Sequence, residues 1–184
     1  MQQALMLAQR AATGGGAATT TWDAAKKGSA VTLSNGNLTA SANSGHAVLS
    51  TAGKTGGKWY FEILVGSQAD AYGIVGLATA SQSLTTGIDF NVLCYRGDGS
   101  FAGFASASGW GPGHVIGIAF DMDGSTFRVY RNNTLQRSGT RSFTAETFIG
   151  AGDWGGAPGA HVFTIRPDAA SQTYSPPSGY LPFD

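Results

Sequence analysis

The sequence predicts an all-β fold, an antiparallel sandwich or barrel of about ten to thirteen short strands, on three observations. From Trp22 onward apolar and polar residues alternate with a period of two, the spacing of a half-buried strand. Turn signals interrupt these runs every 8–12 residues or so, as in sandwiches and barrels. Glycine, 28 of 184 residues, stands at about twice its usual share, and the same region holds no convincing helical period. No fixed-length repeat recurs, which sets solenoids and propellers aside.

The elements follow in order. In residues 1–12, MQQALMLAQRAA, the helix formers Ala4, Leu5, Ala8 and Ala11 recur at near-helical spacing with Leu7 beside them. Twelve residues are marginal as a free helix, so this stretch reads either as a frayed terminus or as a peptide that orders against a partner or sister subunit. ATGGGAATTT, residues 12–21, is a linker by composition. The expected organisation is a segment over 1–21 and one sandwich over 22–184. In AVTLSNGNLTAS, Val31 and Leu33 alternate, Asn35-Gly36 intervenes, and Leu38 and Ala40 alternate again. Asn-Gly between such runs predicts a type I′ hairpin, whose two central residues need positive φ. GKWYFEILVG reads as a strand with Trp59, Phe61 and Ile63 on one face and Tyr60, Glu62 and Leu64 on the other. YGIVGLATA is a short buried strand, and FNVLCYRGDGSFAGF is two runs around Asp98-Gly99. HVIGIAFDMDGSTFRVYRNNTLQ is two runs around Asp123-Gly124, with Asn132-Asn133 as the next turn, and HVFTIRP is a last strand.

Composition excludes several function classes. Lys plus Arg and Asp plus Glu are 11 each, and the densest basic stretch is Lys26-Lys27. A nucleic-acid binder needs a basic footprint that is missing here. No apolar run nears the ~20 residues of a membrane span, and the N-terminus makes a poor signal peptide. The single Cys94 forms no internal disulfide and leaves the redox compartment open.

Asp121-Met122-Asp123-Gly124 looks like half of a calcium loop. Counting from Asp121, however, the sixth position is Thr126 and the twelfth is Asn132, where an EF-hand needs Gly and Glu. The flanks are strand-like, so a turn is the better reading. Arg96-Gly97-Asp98 matches an adhesion tripeptide, but Gly-Asp-Gly already serves as a turn. TGGGAAT lacks the Lys-Ser/Thr of a phosphate loop. His46, His114 and His161 have no metal-ligand spacing, and His114 and His161 read as partly exposed strand-end residues. No Gly-x-Ser-x-Gly elbow occurs, and nothing singles out a carboxylate pair such as Glu62 with Asp89. No metal and no cofactor is expected. Trp110, in SASGWGPG, and Trp154, in GAGDWGGAPG beside Asp153, lie in Gly-rich loops. Each either caps the sandwich or serves as an interface anchor or sugar-stacking platform.

GKWYFEILVG, GIVGLATA, GHVIGIAFDMDGSTFRVYRNN and TYSPPSGYLPFD, in that order, resemble a SPRY (B30.2-like) domain from about Trp22 to the C-terminus. The resemblance implies a bent antiparallel β-sandwich, a concanavalin-like jelly roll, that binds partners through loops and is not an enzyme. The opening TTTWDAAKKGSAVTLSNGNLTAS and the closing YSPPSGYLPF look most like stand-alone phage and prophage SPRY domains of virion proteins, of capsid-surface or tail-fibre type. That provenance implies a virion protein, docked on virion proteins or sister subunits through residues 1–16, with Leu5, Leu7 and Ala8 as contacts. The alternatives are a soluble, cytoplasmic peptide-binding adaptor and a carbohydrate-binding sandwich, with a peptide or host-surface glycan at the loops. In peptide-binding members a Trp-Gly before the last core strand and a Thr in Gly-x-Ala-Thr-Ala line the pocket, which here resemble Trp154, Gly155 and Thr79. The pocket arginine is replaced by Leu49, and His114 stands where the family's Gly-Asp-Val-Ile-Gly has Asp.

Overall fold

The computed structural model describes residues 19–85, 88–155 and 159–184. Thirteen strands and no helix occur among them, in the order β1 (Trp22–Lys27), β2 (Val31–Ser34), β3 (Thr39–Ala42), β4 (Ala47–Lys54), β5 (Lys58–Ser67), β6 (Gly73–Thr79), β7 (Leu93–Arg96), β8 (Val115–Asp121), β9 (Thr126–Arg131), β10 (Thr134–Thr140), β11 (Thr147–Asp153), β12 (His161–Arg166) and β13 (Leu181–Pro182). The segment expected to dock, with Leu5, Leu7 and Ala8, lies outside the described residues.

Two antiparallel sheets face each other. One runs β1-β4-β11-β6-β7, the other β10-β9-β8-β5-β12-β3-β2, and β13 adds in parallel beside β5. The period of two sorts side chains between the layers. Phe61, Ile63 and Val65 of β5, Ile116, Ile118 and Phe120 of β8, and Val75 and Leu77 of β6 point into the shared core with Trp22, Phe163 and Phe183. Alternate residues of the five-stranded sheet, Ala47, Leu49, Ile74, Ala78, Cys94 and Phe148, form a second cluster on its outer face, beneath Ile88 and Phe90. Phe90 fits there because Gly76 and Gly150 have no side chain: a Cβ at Gly150 would stand 2.7 Å from the Phe90 ring. Burial pushes the Cys94 thiol up to about 12, so it stays protonated.

The turns refine the expected hairpins. Asn35-Gly36 does not make a two-residue turn. Asn35, Gly36 and Asn37 all have positive φ, the loop spans 35–38, and pairing resumes at Thr39, so Leu38 is in the turn. Asn132-Asn133 does make a two-residue left-handed turn, which joins Arg131 to its ladder partner Thr134. Beyond Asp98-Gly99 the expected second run yields only isolated bridges, Tyr95–Phe101 and Phe101–Phe104.

The Asp-Met-Asp-Gly stretch is a turn whose carboxylates are engaged. Asp121 accepts the Gly124 N–H at 2.8 Å and pairs with Lys58 at 3.0 Å, while Asp123 accepts the Gly57 N–H at 3.2 Å. The Gly124 N–H, ahead of Lys58, holds Asp121 below the usual carboxylate range. Asp184 bonds the N–H and hydroxyl groups of Thr19 and Thr20 at 2.6–2.8 Å. Thr20 is fully buried, so these bonds pack the residues just before β1 against the C-terminal Asp184.

Glu62 lies on the outward face of β5 yet is fully buried. Its carboxylate accepts the Thr173 and Tyr174 N–H groups at 2.6 and 2.9 Å and the Tyr60 hydroxyl at 3.0 Å, fastening the C-terminal segment. Asp89 instead holds Arg96 beside the other sheet, so the two carboxylates form no catalytic pair.

Candidate functional site

The β6–β11 pair sets one end of the sandwich, because Asp153 lies opposite Gly73 there and Thr147 opposite Thr79 at the far end. Just past β11 the chain turns out at Trp154, whose N–H donates to the Tyr72 carbonyl at 2.9 Å. Tyr72, 39% exposed, leans on Trp154 with centroids 5.4 Å apart. On the same indole lies the Arg96 guanidinium, 4.7 Å from the ring centroid. A bidentate pair with Asp89 and a 3.1 Å bond to Ser100 Oγ orient that guanidinium. Cation–π stacking on a fixed fork makes the Trp154 ring a rigid platform. Trp154 is half-buried and packs at the margin of the outer cluster, leaving a surface of tyrosine, tryptophan and arginine. These three residue types are the ones enriched at binding hot spots.

Beneath this platform lies a buried polar trio. Asp153 and His161 are fully buried. Asp153 accepts the Gly45 N–H at 3.0 Å and the Gly155 N–H at 2.8 Å, which ties the β3–β4 turn to the start of the β11–β12 connection. His161 Nε2 lies 3.3 Å from Asp70 and 3.7 Å from Asp153. Asp70 also accepts the Tyr72 N–H at 2.8 Å, so the trio sets the backbone under the exposed aromatic pair.

Among the residues singled out in the sequence, Trp154 and Gly155 sit at this end, Gly155 exposed with φ 104°. Asp153 lies beneath them and is closed to solvent. Thr79 is not brought to Trp154. Six residues of strand separate them, roughly 20 Å at the rise of a strand, and Thr79 bonds Asn91 and Ser81 instead. Trp110 is core, 4% exposed, edge-on to Tyr95 and Phe163. Its role is to cap the sandwich, and no ring is left there for a sugar to stack on. Leu49 is buried in the outer cluster. His161 is not partly exposed, because the loop holding Asp70 and the β11 end enclose it. His114 Nδ1 accepts the Gly111 N–H at 2.8 Å, closing the turn before β8. Partial burial, with Arg131 nearby, lowers its pKa and favours the neutral acceptor form.

Tyr72 and Asp70 escaped the sequence reading, and Arg96 entered it only within the Arg96-Gly97-Asp98 tripeptide. They come from the β5–β6 loop and the end of β7, and only strand pairing brings them to Trp154. Tyr72, next to the first residue of β6, was the one legible signal: a large ring just outside a strand.

Solved structures show the same architecture. The chain is similar to the crystal structure of the SPRY domain of human HERC1, at TM-score 0.66 and 18% identity, covering 79% of this chain and 96% of that one. The fold is that of a SPRY domain. The TRIM65 PSpry domain matches at TM-score 0.58 and 12% identity, covering 79% of this chain and 88% of that chain. Stonustoxin matches at TM-score 0.55 and 18% identity over 80% of this chain, which spans only 28% of the toxin chain. No protein-family model and no curated protein matches the sequence. Among the described residues no helix is long and apolar enough to cross a membrane.

Proposed function

We propose that this chain is a non-catalytic interaction module that receives a protein partner on the Tyr72–Trp154–Arg96 surface. The observation that carries this reading is the partly exposed Tyr72–Trp154 pair, stiffened by the Arg96–Asp89 fork on a rigid sandwich. Preorganised aromatic anchors lose little conformational freedom on binding, which is why such residues supply most of an interface's energy. An extended peptide laid across this surface would stack on Trp154 and present an acidic or polar group to Arg96. Selection from a displayed peptide library tests it. The expected outcome is a family of sequences enriched on the wild type and lost on Trp154→Ala. Equal enrichment on both proteins, or none on either, overturns the reading.

Within that function the chain serves as a virion structural component, docked through residues 1–16. Two observations support this. The opening and closing stretches resemble phage SPRY domains. Thr19, where the described chain enters the sandwich, is bound to Asp184 at the end remote from Trp154, so an anchor there leaves the aromatic platform clear. Deletion of residues 1–16 is expected to abolish incorporation into particles while peptide binding survives. A truncated protein that still incorporates ends the anchor reading and leaves the binding reading standing.

A further inference from the structure

We propose that His161, Asp70 and Asp153 form a binding site for one divalent transition cation of the zinc class. Among the described residues these are the three metal-capable side chains whose ligand atoms converge, all within 4.8 Å of one another. The separations suit a shared ion. His161 Nε2 stands 3.3 and 3.7 Å from the two carboxylate oxygens, and two ligands of a tetrahedral zinc at about 2.0–2.1 Å lie roughly 3.3–3.4 Å apart.

The imidazole gives an independent observation. His161 is fully buried, and neither ring nitrogen has a hydrogen-bond partner. The Asp70 oxygen is within reach of Nε2 but makes no hydrogen bond with it, so it lies to the side of the Nε2 axis. A ligand of a common ion sits in such a position relative to its neighbour. Nδ1 meets the bare backbone of Gly73, where a Cβ would stand 2.9 Å away, so nothing on that side of the ring competes with what Nε2 holds.

Charge points the same way. Two carboxylates, one fully buried and one 17% exposed, face the imidazole from the two loops. Amide N–H groups on Asp153 ease its burial but supply no net charge. A divalent ion between them supplies the positive charge that two converging carboxylates call for. Nitrogen beside two carboxylates, with few oxygens available, selects transition ions over calcium or magnesium. The ion would join the β5–β6 loop to the β11–β12 connection directly under Tyr72 and Trp154.

The test uses the untagged full chain, stripped with a chelator that is then removed, and zinc or cobalt chloride as probe. One equivalent of zinc is expected to bind. Tm is expected to rise by about 5–10 °C at a hundredfold excess over Kd, and cobalt to give the visible absorption of a four-coordinate site. Asp70→Asn, at a partly exposed position, is expected to keep the metal-free Tm within about 2 °C and to weaken zinc at least about 100-fold. Absence of both zinc binding and a Tm shift in the wild type overturns the proposal. So does unaltered binding by Asp70→Asn, which would place the ion elsewhere. The titration needs no protein partner, so its result stands apart from that of the peptide selection.

Discussion

At one end of the sandwich Asp121, Asp123 and Asp184 bond backbone N–H groups, threonine hydroxyls or Lys58, and Phe183 is driven fully into the core between Trp59, Phe61 and Phe120. At the other end Asp70 and Asp153 have backbone partners too, but both also face a buried, unpartnered imidazole, and the aromatic rings of Tyr72 and Trp154 remain partly in water. Loop length does not separate the two ends, since both are built from turns rich in Gly and Asp. Saturation does. Where the carboxylates are met by donors and the central ring is enclosed, a turn is a closure. Where rings stay exposed and a polar group is left over, the surface can still gain free energy from a ligand.

Four substitutions probe this contrast. Phe183→Ala should have the largest effect. It empties a fully buried ring site and costs about 3–5 kcal/mol, which lowers Tm by about 10 °C in a chain of this length. Peptide binding by the folded fraction should be unchanged, and calorimetry with a binding assay checks both. Gly73→Ala should come next, because its Cβ would stand 2.9 Å from His161 Nδ1 and 3.0 Å from the Trp110 ring. Overpacking of that kind costs about 1–3 kcal/mol. Thermal melts should show a drop of about 5 °C, and a silent substitution would mean that the trio is loosely packed.

Asp184→Asn tests the closed end through pH. Burial opposes ionisation of Asp184, but the bonds from Thr20 and Thr19 outweigh it and hold its pKa below the usual carboxylate range. A lowered folded pKa stabilises the fold above the unfolded value of about 4 and loses that contribution as pH falls through the folded value. The variant should therefore melt about 2–4 °C below wild type at pH 7, and the two curves should converge under acid conditions. A difference that persists there would assign the loss to shape rather than charge. Trp154→Ala should disturb stability least, by under about 1 kcal/mol for a half-buried ring with one cation–π contact. It should nevertheless weaken a selected peptide at least about 30-fold, as an anchor residue does. Competition binding reads that ratio, and a change below threefold would move the interface elsewhere.

Much of the fold was legible because strand burial follows a local period. Phe61 and Ile63 announced their face by alternation alone, and Asn132-Asn133 announced its turn through the geometry that Asn tolerates. Asn35-Gly36 misled in detail because turn length depends on where pairing resumes, which the neighbouring strand decides. Trp154 was legible as a large ring in a glycine-rich loop, yet Trp110, in an equally glycine-rich loop, proved to be core. Both have the same local context. Tyr95 and Phe163 close over one and not the other.

By itself, then, the sequence determined the all-β class, the strand order along the chain, the turn identities of Asp123-Gly124 and Asn132-Asn133, and the resemblance to SPRY domains. These depend on residues a few positions apart, and short-range sterics and the period of two act at that distance. Only the tertiary structure decided that Thr79 lies far from Trp154, that Glu62 fastens the C-terminal segment, and that Asp70, Asp153 and His161 converge. Each of these depends on which strand pairs with which and in what register. Register is set by the burial of two whole sheets against each other, so no local stretch contains it.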